Sequence, residues 1–92
     1  YILMVNKTLI VQNKLGIHAR PAGMIVETTG KSKSEVQMRY QGMSANAKSI
    51  LNIMMLAVEP GAEVEFTVEG VDEQKILKDL ETLFHERFHE ED

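Results

Sequence analysis

The sequence contains no cysteine, which excludes a disulfide framework and a thiolate metal site and agrees with a cytoplasmic protein. Long apolar runs are missing too. A membrane-spanning helix needs about 20 apolar residues. The most apolar stretch here, residues 50–58, is far shorter and is interrupted by Asn52, so no membrane insertion is expected. No signal peptide is recognisable, and no internal repeat or low-complexity segment occurs. Positive charge is in short supply, with 10 Lys and Arg against 14 Asp and Glu and a formal net charge of −4. That balance argues against direct nucleic-acid binding, which relies on clustered cations against phosphates.

What is there fits one domain over residues 1–92, with a single core. Apolar residues at 43% and charged residues at 26% are ordinary for a soluble globular chain. The acids Glu86, Glu90, Glu91 and Asp92 gather at the end, where a solvated helix terminus is expected to fade into a frayed tail over residues 90–92. Residues 1–3 precede Met4-Val5-Asn6-Lys7, which would itself serve as a natural start. They are read as an extension without a role.

Residues 8–12 are rich in β-formers and predict a first strand. After Gly16 and Ile17, Ala22, Ile25, Val26 and Thr29 follow helical spacing towards a stop at Gly30. Val36, Met38 and Tyr40 alternate with Glu35, Gln37 and Arg39, which predicts a strand with one wet face, and Gln41-Gly42 predicts a tight turn into a short partner. Ser49 opens a second helical pattern through Ile50, Ile53, Met54 and Ala57, ended by Pro60 and Gly61. Val64, Phe66 and Val68 alternate strictly with polar neighbours. Asp72 is the expected N-cap of a last helix with Ile76, Leu77, Leu80, Leu83, Phe84 and Phe88 in one stripe. The order βαββαβα predicts an α+β sandwich, a four-stranded antiparallel sheet with three helices on one face.

The informative stretch is Gly16-Ile17-His18-Ala19-Arg20-Pro21-Ala22. It puts a histidine at the mouth of a helix beginning at Ala19, where unpaired amides and aligned peptide dipoles favour an anion. Arg20 adds a planar fork of donors suited to phosphate oxygens, and Pro21 in the first turn loses no hydrogen bond. Neutral imidazole is a nucleophile near physiological pH, so these residues fit reversible phosphoryl transfer. The plainer alternative is a histidine serving as a helix cap with Arg20 simply solvated.

That stretch resembles the active-site signature of HPr, the histidine-containing phosphocarrier of the phosphoenolpyruvate:sugar phosphotransferase system. Lys48-Ser49-Ile50-Leu51-Asn52-Ile53-Met54-Met55-Leu56-Ala57 resembles the regulatory-serine segment of the low-GC Gram-positive type. The resemblance runs on through Gly70-Val71-Asp72-Glu73, and it implies an open-faced β-sandwich. It implies that His18 takes the phosphoryl group on Nδ1 from enzyme I and gives it to IIA domains of sugar permeases. Arg20 would help to hold the phosphate, and the chain would be a carrier needing no cofactor or metal, not a stand-alone enzyme. For Ser49 it implies phosphorylation by an HPr kinase/phosphorylase and binding of a catabolite-control repressor. On the residues alone, a hydroxyl cap on the helix start is the better reading of Ser49. Ile50, Leu51 and Met54 cannot all point inward, so a docking patch is expected there. The rival reading is a regulatory paralog acting in catabolite repression or in nitrogen-type phosphotransfer.

Some residues depart from the family pattern: Asn52 in place of a usual glycine, Met43, Gly23 and the acidic Glu27. These bear on partner affinity more than on the carrier chemistry. Finally, His85-Glu86-Arg87-Phe88-His89 matches the H-E-x-x-H zinc-protease pattern on a predicted helix. It lacks a third ligand and a cleft, and is read as a decoy.

Overall fold

A computed structural model describes residues 4–90, so the extension read over residues 1–3 and the last two acids lie outside it. Alternation of apolar and polar side chains builds a four-stranded antiparallel sheet in the order β1-β4-β2-β3: β1 is Val5–Ile10, β2 Glu35–Tyr40, β3 Met43–Asn46 and β4 Glu63–Glu69. The predicted α+β class and element order are those observed. In β2 the alternation is complete: Val36, Met38 and Tyr40 are buried and Glu35, Gln37 and Arg39 are exposed. Register brings like faces together, with Val36 opposite Val68, Met38 opposite both Phe66 and Ala45, and Leu9 opposite Val64. A one-residue slip would turn this apolar set into water, so burial itself specifies the pairing.

Three helices cover the apolar face: α1 (Ala19–Gly30), α2 (Ile50–Met55) and α3 (Glu73–His85). Ala22 and Ile25 of α1, Ile53 of α2, and Ile76, Leu77, Leu80 and Phe84 of α3 enter one core with the sheet. Each is buried apolar area that offsets chain entropy.

Beside the first strand, which runs Val5–Ile10 and not over residues 8–12, three local expectations differ from what is found. The second helix does not run to Pro60. It ends at Met55, with Leu56 as its C-cap and Ala57 already left-handed at φ +53°. The third helix ends at His85, and Arg87, Phe88 and His89 all have positive φ, between 54° and 59°. Phe88 is fully buried as the apolar stripe implies, but it reaches the core from a left-handed turn (Arg87–His89). The H-E-x-x-H residues therefore do not share one helix, and the helical face that the zinc pattern requires is absent.

Asp72 is the third case. It stands at the N-cap position of α3 but makes no side-chain cap bond. Its carboxylate accepts instead from Ser34 Oγ, from Ser32 Oγ at 3.0 Å and from the Lys33 amide at 3.1 Å, tying α3 to the start of β2. Gly70 permits this approach: its φ is +151°, and a Cβ there would lie 2.6 Å from Ser34 Cα. The hydrogen bond from Ser34, with those from Lys33 and Ser32, outweighs desolvation and lowers the Asp72 pKa from 3.8 to about 2. Because the folded value lies below the ordinary one, the stabilisation is complete above pH 4 and fades as pH falls towards 2. An Asp72→Asn variant is expected to lose less stability across that interval than the parent, measured as urea midpoint against pH. Parallel curves would remove Asp72 from the acid response.

Candidate functional site

His18 is the N-cap residue of α1, with extended backbone at φ −89° and ψ −165°. Its carbonyl accepts from the Ala22 amide at 3.0 Å, but its side chain makes no cap hydrogen bond. The alternative of a histidine spent on capping therefore fails, and the imidazole is left for another use. The His18 side chain is 37% exposed, so it is open to solvent at the helix mouth. Helix geometry gives the Ala19 and Arg20 amides no intrahelical acceptor, and Pro21 has no N–H to leave unpaired.

The approach to His18 is fixed by a seam between two loops. Val11 N donates to Ala62 O at 2.9 Å, Gly61 N to Val11 O at 2.8 Å, and Ile17 N to Val58 O at 3.2 Å. Ile17 buries its side chain next to His18 in sequence. Gly16 makes the sharp turn at φ +71°, and a Cβ there would sit 2.6 Å from the Val58 carbonyl oxygen, so only glycine fits.

Two residues that the sequence reading did not single out complete the site. Nε2–H of His18 donates to Oε2 of Glu90 at 2.6 Å, and Nδ2 of Asn13 donates to Oε1 of the same carboxylate at 2.8 Å. Asn13 is fully buried, and its Nδ2 also donates to Gly16 O at 2.7 Å. Glu90, expected in a fraying tail, is instead only 11% exposed and sits against the ring. Arg20 Nη1 approaches the same carboxylate at 4.0 Å, with a side chain 57% exposed and free to turn outward. His18, Ala19 and Arg20 are thus gathered at one helix start, with Glu90 and Asn13 beneath them.

Ser49 belongs to a different feature, the start of α2. Its Oγ accepts from the Asn52 amide at 3.3 Å and from Asn52 Nδ2 at 3.0 Å, so the hydroxyl does cap the helix. Asn52, noted as a departure from the family pattern, is the residue that engages it. A cap of this kind contributes about 1 kcal/mol. Ser49→Ala is therefore expected to lower the melting temperature by roughly 4–8 °C for a domain of this size. An unchanged melt would show that α2 does not depend on it. Beyond Ser49, Ile50, Leu51 and Met54 are all exposed, Leu51 at 69%, and so is Met55 at 73%, while Ile53 alone turns into the core. Four exposed apolar side chains on one short helix make the patch larger than expected.

No helix among the described residues is long and apolar enough to cross a membrane. Residues 5–86 match the family model described as the PTS HPr component phosphorylation site. The chain is 42% identical over 88 residues to the phosphocarrier protein HPr of Treponema pallidum (strain Nichols), covering 96% of this chain and 100% of that one. It is 39% identical over 88 residues to the phosphocarrier protein HPr of Xylella fastidiosa (strain 9a5c), covering 96% and 99%. Among solved structures, HPr-C-His from Thermoanaerobacter tengcongensis is similar with a TM-score of 0.91 at 39% identity, covering 95% of this chain and 98% of that one.

Proposed function

The chain belongs to the HPr family, and from that membership we propose that it accepts a phosphoryl group on Nδ1 of His18 from enzyme I and donates it to IIA domains of sugar permeases. The observation that carries this reading is the imidazole itself, half-exposed at the start of α1, unused as a cap and flanked by Arg20. In the transfer, the Nδ1 lone pair attacks phosphorus as the bond from phosphorus to the donor breaks, and the leaving pair returns to the donor. Charge on the phosphoryl oxygens meets the Ala19 and Arg20 amides and the guanidinium, which turns outward to pair with it. Onward transfer is the same step with the chain as donor. Little covalent machinery is needed, because positioning and electrostatics supply most of phosphoryl-transfer catalysis.

The exposed side chains of Ile50, Leu51 and Met54 support a docking role for α2 in these encounters, with Met55 added to the patch. The reading includes a cytoplasmic location and phosphorylation of Ser49 by an HPr kinase/phosphorylase, giving a form that binds a catabolite-control repressor. A phosphate on Ser49 would stand at a helix start, where an anion is favoured. It would also have to displace the two bonds from Asn52.

The direct test supplies purified enzyme I and phosphoenolpyruvate. The chain is expected to take up about one equivalent of acid-labile, alkali-stable phosphate and to lose it when an IIA domain is added. Absence of label overturns the carrier reading. Label that no IIA domain can remove overturns the assigned acceptor.

A further inference from the structure

We propose that Glu90 is a positioning residue that fixes which nitrogen of His18 is free to take the phosphoryl group, an inference that rests on the carrier reading above. A carboxylate can only accept hydrogen bonds. With Oε2 of Glu90 at 2.6 Å from Nε2, the ring proton is therefore held on Nε2 and the lone pair is left on Nδ1. Without such a partner a neutral imidazole distributes its proton between both nitrogens, and the bond made by one nitrogen decides the state of the other.

The carboxylate is itself held in place. Its second oxygen accepts from Nδ2 of Asn13 at 2.8 Å, and the same amide donates to Gly16 O at 2.7 Å. Asn13 is fully buried, so one side chain ties Glu90 to the loop that delivers His18. On the other side, Phe88 anchors the chain. It is fully buried, with its ring 4.8 Å from that of Phe84. Three consecutive left-handed residues, Arg87, Phe88 and His89, then reverse the chain so that Glu90 returns to the ring. L-residues disfavour that conformation. The burial of Phe88 and the bonds made by Glu90 are what oppose the cost.

The arrangement also suits the transfer step. Attack by Nδ1 with the proton kept on Nε2 forms the N–P bond and leaves positive charge on the ring. Glu90 faces that charge directly, no proton has to leave, and the electron pair returns to Nδ1 when the group moves on. The phosphoryl group and the carboxylate occupy opposite nitrogens of the ring, so their negative charges are kept apart.

The test combines nitrogen-15 NMR of the His18 ring with phosphorylation by enzyme I and phosphoenolpyruvate. The parent chain is expected to show the Nε2–H tautomer at neutral pH. Glu90→Ala should give a mixed tautomer and a phosphorylation rate at saturating donor roughly ten- to a hundredfold lower, the scale of a lost charge-assisted hydrogen bond. Its final acid-labile stoichiometry should be unchanged. Glu90→Gln keeps an accepting oxygen and should restore the tautomer and part of the rate. An unaltered tautomer in Glu90→Ala, a rate equal to or above that of the parent, or failure of Glu90→Gln to restore the tautomer overturns the proposal. If the parent shows the Nε2–H form but takes no label, the carrier reading fails and the tautomer assignment stands.

Discussion

His18→Ala is expected to take no acid-labile phosphate from enzyme I and phosphoenolpyruvate, a loss of at least about a thousandfold in acceptance, because no second group at the helix mouth can replace the nucleophile. Ala19 and Arg20 offer donors only, Asn13 is a buried amide, and the Glu90 carboxylate lies beneath the ring, only 11% exposed. The fold should survive the change. His18 makes no side-chain cap bond and is only half-buried, so the one hydrogen bond of its side chain that the variant loses is that to Glu90. A stability change within about 1.5–3 kcal/mol follows from one charge-assisted hydrogen bond. A well-folded His18→Ala protein that still acquires acid-labile phosphate would place the acceptor elsewhere.

The second large effect concerns stability. Phe88→Ala removes a fully buried ring that meets Phe84 at 4.8 Å, where Phe84 in turn meets Phe66 at 5.5 Å in an edge-to-face arrangement. Truncating a buried phenylalanine costs about 3–5 kcal/mol, a large share of the roughly 5–15 kcal/mol that holds a domain together. The urea midpoint should fall accordingly with little change in slope. The same substitution releases the turn that brings Glu90 to His18, so the parent's imidazole tautomer should be lost at temperatures where the variant is still folded. A midpoint that moves by less than about 1 kcal/mol would mean that residues 87–90 do not pack as described.

The fold was legible because burial writes itself into sequence with the period of each element. Val36, Met38 and Tyr40, then Val64, Phe66 and Val68, alternate because every second side chain meets the core. His18 was legible because Gly16, Pro21 and a helical pattern bracket it. Glu90 and Asn13 were not, since their roles depend on a contact between residues 77 positions apart. No periodicity encodes such a contact, and an acidic run reads most simply as a solvated tail. The clue in the chain was Phe88, an apolar residue standing between His85 and His89 just ahead of the tail expected to fray over residues 90–92. Its burial was foreseen on an unbroken helix, and the left-handed turn that achieves it leaves no mark that the stripe alone could reveal. Asp72 shows the same limit: its residue type suits a cap, but Ser32 and Ser34 compete for the carboxylate across the fold.

The ring of His18 is proposed to carry the phosphoryl group on Nδ1, the nitrogen not bonded to Glu90. Phosphorus–nitrogen coupling in the phosphorylated, nitrogen-15-labelled protein reads this directly. Coupling to Nδ1 of His18 is expected, with the proton retained on Nε2. Coupling to Nε2, or to a nitrogen of His85 or His89, would contradict it.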